Sequence, residues 1–123
     1  MEYNSKELVL ETDASPYGTG AVLSQIENGQ EKPLAFVSKT LTPAQRRYSQ
    51  IDREGLGVIF GVTKFHKFLY GRKFILQLDN KPLTAIFSPD KHIPAMAAQR
   101  LARWALKLRA YNYEVQFRPT GQH

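Results

Sequence analysis

Up to Thr40 the chain is written as strands joined by tight turns; from Thr42-Pro43 onward it takes the three-to-four-residue period of a helix. Glu7–Asp13 is β-rich and closes on the turn cluster Ala14-Ser15-Pro16-Tyr17-Gly18. Gly20–Ile26 is a second run, followed by Asn28-Gly29, a strong hairpin signal, and Pro33–Ser38 is a third. Connections this short hold no crossover, so the three runs predict an antiparallel meander. In Thr42-Pro43-Ala44-Gln45 a capping Thr, a Pro at the first helical position and a Gln able to reach back make a capping box. Behind it Tyr48, Ile51, Gly55, Val58, Val62, Phe65 and Leu69 share one helix face, with Gly71 as the stop.

Lys73–Asp79 reads as a fourth strand, broken by Asn80-Lys81-Pro82, and Leu83–Phe87 as a short helix. After Ser88-Pro89-Asp90 a longer helix places Ala97, Leu101, Trp104, Leu108 and Tyr111 on one face, with Arg100, Arg103 and Lys107 alongside. Tyr113–Phe117 alternates as a fifth strand, and Pro119-Thr120-Gly121 begins a turn. The order β-β-β-α-β-α-β predicts one mixed α/β domain over residues 1–123, without linker or repeat. Gly55, Gly57 and Gly61 each cost about 1 kcal/mol against Ala in a helix, which points to close approach of a sheet or ligand.

No apolar run approaches the roughly 20 residues needed to span a membrane, so no membrane partner is expected. The absence of cysteine excludes a disulfide framework and a thiolate metal site and fits an intracellular, reducing compartment. The net charge of +6 is uneven. Residues 1–30 hold one basic and five acidic side chains, a balance of −4; residues 31–123 hold sixteen and six, a balance of +10. That asymmetry fits a polyanionic partner and a separate place that tolerates carboxylates, although a solvated basic surface gives the same count.

Three acids stand where a carboxylate is awkward. Asp13 and Asp79 each end an apolar strand, and Glu54 borders the buried face of the first helix between Ile51 and Val58. If strands one and four are parallel neighbours, the two Asp residues stand side by side and Glu54 can point toward them. Mutual repulsion of three carboxylates is relieved by a hard divalent cation such as Mg²⁺, and a pair of such ions suits phosphodiester hydrolysis. Taken singly, each acid also reads as a turn cap or a solvated side chain. His66 and His92 lack Cys or carboxylate partners at ligand spacing, so zinc is not expected; His123 carries little weight, and Trp104 reads as core.

The blocks Leu10–Ser15 with Gly18–Leu23, Phe36–Thr42, Tyr48–Glu54, Phe65–Gly71, Leu78–Leu83, Arg103–Leu106 and Phe117–Pro119 resemble, in order, the ribonuclease H domain of reverse transcriptases, above all those of gypsy-type LTR retrotransposons. The resemblance covers nearly the whole chain. It implies a ribonuclease H-like fold, a five-stranded mixed sheet with strands one, four and five parallel. It also implies cleavage of the RNA strand of an RNA–DNA hybrid with two Mg²⁺ ions (Mn²⁺ as a substitute) during reverse transcription. Asp13, Glu54 and Asp79 match three metal-binding catalytic carboxylates of the family. A polymerase domain of the same polyprotein is the implied partner, in the cytoplasm or nucleus. Ser15, Asn80 and Lys81 in loops near the acids, and Arg100, Arg103 and Lys107 on the helix, are candidate nucleic-acid contacts.

Two departures stand out. The family usually has His where this chain has Asn80, a change not expected to abolish catalysis. The family also continues past strand five into a helix bearing a fourth carboxylate, and this sequence stops at His123. The expectation is a domain truncated at its C-terminus, with weakened metal binding and activity that extension through that segment restores. A non-catalytic tether or nucleic-acid-binding domain, degenerate or domesticated, is the alternative reading.

Overall fold

The structure is a computed structural model and describes residues 6–89 and 99–119. The meander is present as β1 (Leu8–Ala14), β2 (Gly18–Glu27) and β3 (Gln30–Thr40), each pair antiparallel. Asn28 and Gly29 have φ of 54° and 79°, the pair of left-handed residues that a two-residue hairpin requires. At the other connection the Ser15 hydroxyl accepts hydrogen bonds from the Tyr17 and Gly18 amides, so the turn after β1 is held by a side chain. β3 slips register beside Leu23/Ser24, where Pro33 lacks an N–H for the ladder.

The capping box forms as expected: Thr42 accepts from the Gln45 amide, and the Gln45 side chain accepts from the Thr42 amide. The continuous helix expected behind it does not form. It is divided into α1 (Pro43–Arg46), α2 (Gln50–Lys64) and α3 (His66–Leu69). Ser49 makes a second N-cap by accepting from the Asp52 amide, and Arg53 donates to the carbonyls of Arg46 and Tyr48 at the end of α1. The break therefore leaves these groups satisfied. The second break, at Phe65, re-aims the last turn: Phe65 and Leu69 are buried while Phe68 and Tyr70 face solvent. Gly71 follows with φ of 81°, in keeping with its role as a stop.

β4 (Lys73–Leu78), α4 (Lys81–Phe87), α5 (Gln99–Leu108) and β5 (Asn112–Phe117) complete the described elements. The sheet order is β3-β2-β1-β4-β5, with β1/β4 and β4/β5 parallel. This is the predicted five-stranded mixed sheet. Ala97, His92, Thr120, Gly121 and His123 lie outside the described residues.

One face of the sheet carries the main core. Leu8 and Leu10 of β1, Leu23 of β2, and Phe74, Leu76 and Leu78 of β4 pack with Val58 and Val62 of α2, Leu83 of α4 and Leu101 of α5. Each such side chain contributes about 1.5–3 kcal/mol on burial. Trp104 is partly buried against this core, as the sequence predicted. The glycines of α2 explain how close the layers come. A Cβ on Gly57 would stand 2.3 Å from the Thr19 hydroxyl oxygen, and one on Gly61 would stand 2.8 Å from the Ala21 methyl. Gly55 faces α5 instead of the sheet, 2.9 Å from Leu101 and 3.0 Å from Trp104 by the same measure.

Candidate active site

Asp13 and Asp79 come from parallel neighbouring strands. Glu11 of β1 pairs with Gln77 of β4, and the two Asp residues each lie two positions further on, at the same level of the sheet. Asp79 directly follows β4, and α4 begins two residues later. The backbone around Asp13 is held from the side by Thr19, whose hydroxyl donates to the Asp13 carbonyl at 3.0 Å. Gly57 lets α2 press down on that same bond, since its missing Cβ would collide with the Thr19 hydroxyl. One turn earlier on α2 stands Glu54.

Glu54 is 9% exposed, the one buried acid among the described residues. Its Oε2 accepts from Asn80 Nδ2 at 2.6 Å. Burial foremost, then the neighbouring Asp79 carboxyl, pushes the Glu54 pKa up to about 7; hydrogen bonds from Asn80 and Gln50 pull it the other way. The structure therefore brings Glu54 and Asp79 together, two of the three acids that the sequence reading expected to converge. Asp13 stands one strand across, exposed, with Oδ1 accepting from the Ala14 amide at 2.9 Å. Among the described residues no three His, Cys, Asp or Glu side chains form a ready-made metal cluster. An open groove of about 640 Å³ runs over the ends of β1–β3 past Asp13, Ser15, Tyr17, Phe36 and Lys39.

The donor chemistry of the pair fits a hard cation. Two carboxyls held against each other, one of them buried, favour either a shared proton or a positive ion between them, and oxygen-only donors suit Mg²⁺. Glu54 and Asp79 would hold it, with Asp13 adjoining.

The predicted nucleic-acid contacts fall into different settings. Ser15 is exposed but occupied in its own turn. Asn80 caps α4, accepting from the Leu83 amide at 3.0 Å, and is turned onto Glu54. Lys81 is exposed, with its ammonium 5.5 Å from the centre of the Phe117 ring. Arg100 pairs with Asp52 at 3.0 Å and lies 3.8 Å over Tyr48, so it braces α5 against the start of α2. Arg103 and Lys107 are exposed on α5. Thr19 and Gln50 are further residues of the site that the sequence reading did not name. Gln50 lies one turn before Glu54 on the same helix, a spacing that could have found it; Thr19 carries no local signal.

Comparison with known proteins agrees with the fold. Residues 4–111 match the family model of the RNase H-like domain found in reverse transcriptase. The Pol polyproteins of the Drosophila melanogaster transposons 412 and 297 are 33% and 35% identical over 92% and 91% of this chain. A Tf2 transposon polyprotein of Schizosaccharomyces pombe is 33% identical over 94%. The chain spans only 9%, 10% and 9% of those three relatives, respectively. Among solved structures, the foamy viral protease-reverse transcriptase in complex with dsDNA superposes with a TM-score of 0.72 at 17% identity, covering 95% of this chain and 24% of that one. RNase H1 from the archaeon Halobacterium salinarum gives 0.67 at 12%, covering 94% and 87%. At such identities the structures speak for the fold, while the family model and the transposon relatives speak for descent. The chain belongs to the family of RNase H-like domains found in reverse transcriptase, of the kind carried by retrotransposon Pol polyproteins.

Proposed function

We propose that residues 1–123 form one domain that cuts the RNA strand of RNA–DNA hybrids, with Asp13, Glu54 and Asp79 holding divalent metal. The observation that carries this reading is the buried Glu54 pressed against Asp79, at the C-terminal end of a parallel strand pair whose other member ends at Asp13. Fold stability alone gives no reason to set two carboxyls against each other under a helix. When bound, divalent ions such as Mg²⁺ supply an activated water and offset charge on the leaving oxygen. Glu54 and Asp79 hold that charge in place, Asp13 approaches from the neighbouring strand, and Thr19 fixes the backbone beneath Asp13. Lys81, Arg103 and Lys107 offer exposed cations for phosphates, and the Ser15 turn lies beside Asp13 for sugar contacts.

A foamy viral protease-reverse transcriptase of the same fold has been solved with an RNA/DNA hybrid, at 17% identity, which supports the substrate class. A polymerase domain in the same polyprotein is the proposed partner and an intracellular setting the proposed location, a reading supported by kinship with transposon Pol polyproteins. The test is cleavage of an end-labelled RNA–DNA hybrid by the chain in Mg²⁺. Cleavage is expected, with RNA cut and DNA intact, and it should vanish in Asp79→Asn and with chelator. Tight hybrid binding with no cleavage in Mg²⁺ or Mn²⁺ would favour the tether reading instead.

A further inference from the structure

We propose that Asn80 is a positioning residue: it locks the Glu54 carboxylate in place for metal and ties that carboxylate to the start of α4. The side chain makes two hydrogen bonds of opposite sense. Oδ1 accepts from the Leu83 amide at 3.0 Å, which caps α4, and Nδ2 donates to Glu54 Oε2 at 2.6 Å. The first bond settles the second. A backbone N–H accepts nothing, so Oδ1 must face Leu83, and Nδ2 is left facing Glu54. The reverse orientation would set oxygen against carboxylate and N–H against N–H.

The position therefore needs an acceptor and a donor on one short side chain. Asp supplies the cap but places a negative charge against Glu54. Ala supplies neither bond. His carries a donor able to reach a carboxylate but is a poorer cap. Because Asn80 directly follows Asp79, the clamp also sets the spacing between the two acids. Asp79 is fixed by the end of β4, and Glu54 is fixed to the residue after it. One oxygen of Glu54 is thus engaged, and its charge is partly offset without a cation. Partners of this kind around metal-binding carboxylates typically govern metal affinity by 10- to 100-fold.

Because Asn80 acts only through Glu54, its role rests on the carboxylate pair holding metal, and the test separates the two. Mn²⁺ binding to the whole chain is measured by calorimetry for wild type, Asn80→Ala, Asn80→Ser and Asn80→His. Hybrid cleavage is followed in parallel over metal and substrate concentration. The side-chain carboxyl signal of Glu54 is read in metal-free protein by ¹³C NMR, and thermal unfolding reports the fold. Asn80→Ser keeps the cap without the amide donor to Glu54 and adds no charge, so it is expected to fold as wild type does. It and Asn80→Ala should nonetheless weaken Mn²⁺ binding about 10-fold or more, raise the metal needed for half-maximal cleavage to match, and shift the Glu54 signal. The KM for hybrid should stay within about twofold, and Asn80→His should recover part of the loss. Unchanged Mn²⁺ affinity in Asn80→Ala and Asn80→Ser, or a raised KM at unchanged metal requirement, overturns the proposal while leaving the metal site standing. A wild-type chain that neither binds Mn²⁺ nor cleaves hybrid overturns the metal site itself, and the role of Asn80 falls with it.

Discussion

Glu54 shows at the scale of one residue how the proposed function and stability pull apart. Its carboxyl is buried beside Asp79, and nothing positive is bonded to it among its described contacts. Glu54→Gln keeps the shape and removes one charge, so the metal-free protein should gain about 1 kcal/mol, roughly 4 °C in midpoint. The same substitution should abolish Mg²⁺-dependent cleavage. Addition of Mg²⁺ at about 100 times its Kd should raise wild-type stability by about 2.7 kcal/mol and the variant's far less, reversing their order. Thermal scans with chelator and with Mg²⁺ check both halves. The candidate acids were legible in sequence because a charge at the end of an apolar strand or on the rim of an apolar helix face is anomalous wherever the chain folds. The clamp at Asn80 was not. Asn80-Lys81-Pro82 is already accounted for as the break after the fourth strand, and Glu54 lies 26 residues away, so nothing local marks the second bond.

At the scale of elements, α2 is positioned by what its glycines lack. Gly57→Ala drives a methyl into the Thr19 hydroxyl, which is bonded to the Asp13 carbonyl and has little room to yield. A cost of about 1–3 kcal/mol is expected, with cleavage falling further than stability because the strain lands on Asp13. Thr19→Ala should relieve it, so the double variant should be more stable than Gly57→Ala alone; denaturant midpoints of the four proteins measure that coupling. The sequence announced close packing through three glycines, but not which layer each one meets, since that depends on the crossing of helices remote in the chain. The division of the long helix was half visible: Ser49 with Asp52 has the spacing of a cap, yet an unbroken apolar face ran across it. On α5 the basic stripe divides in its contacts. Arg100 is engaged with Asp52 and Tyr48, so Arg100→Ala should lower stability by about 1 kcal/mol and leave the salt dependence of hybrid binding unchanged. Arg103→Gln with Lys107→Gln should reduce the slope of log affinity against log salt by about 1–2, with stability unchanged. Equal slopes for all variants would remove α5 from the nucleic-acid surface.

For the whole molecule, strand order followed from connection length: short turns force antiparallel neighbours, and a helix is needed before a parallel strand can be added. That rule reads β3-β2-β1 from sequence and permits β4 on the free edge of β1, whereas the seating of β4 there and of β5 beside it depends on the helices between them. Tyr113 joins those parts. On β5 it is 4% exposed, its ring stacks on Phe74 of β4 at 5.6 Å, and its hydroxyl donates to the Phe87 carbonyl at the end of α4 at 2.6 Å. Burial pushes its pKa from 10.0 up to about 12. The folded state therefore keeps a proton that the unfolded chain releases sooner. The stability this represents is whole below pH 10 and is lost as pH rises from 10 through 12. Two units of difference correspond to about 3 kcal/mol. Tyr113→Phe gives up the bond to Phe87 and should cost about 1 kcal/mol at neutral pH, but its stability carries no contribution from this ionisation. Other groups titrating at high pH act on both proteins alike, so their difference isolates Tyr113. The variant should be the less stable protein at pH 8 and the more stable one above about pH 11. Urea unfolding at pH 8, 10 and 11.5 tests the crossing, and parallel curves would mean that the hydroxyl ionises as easily in the fold as out of it.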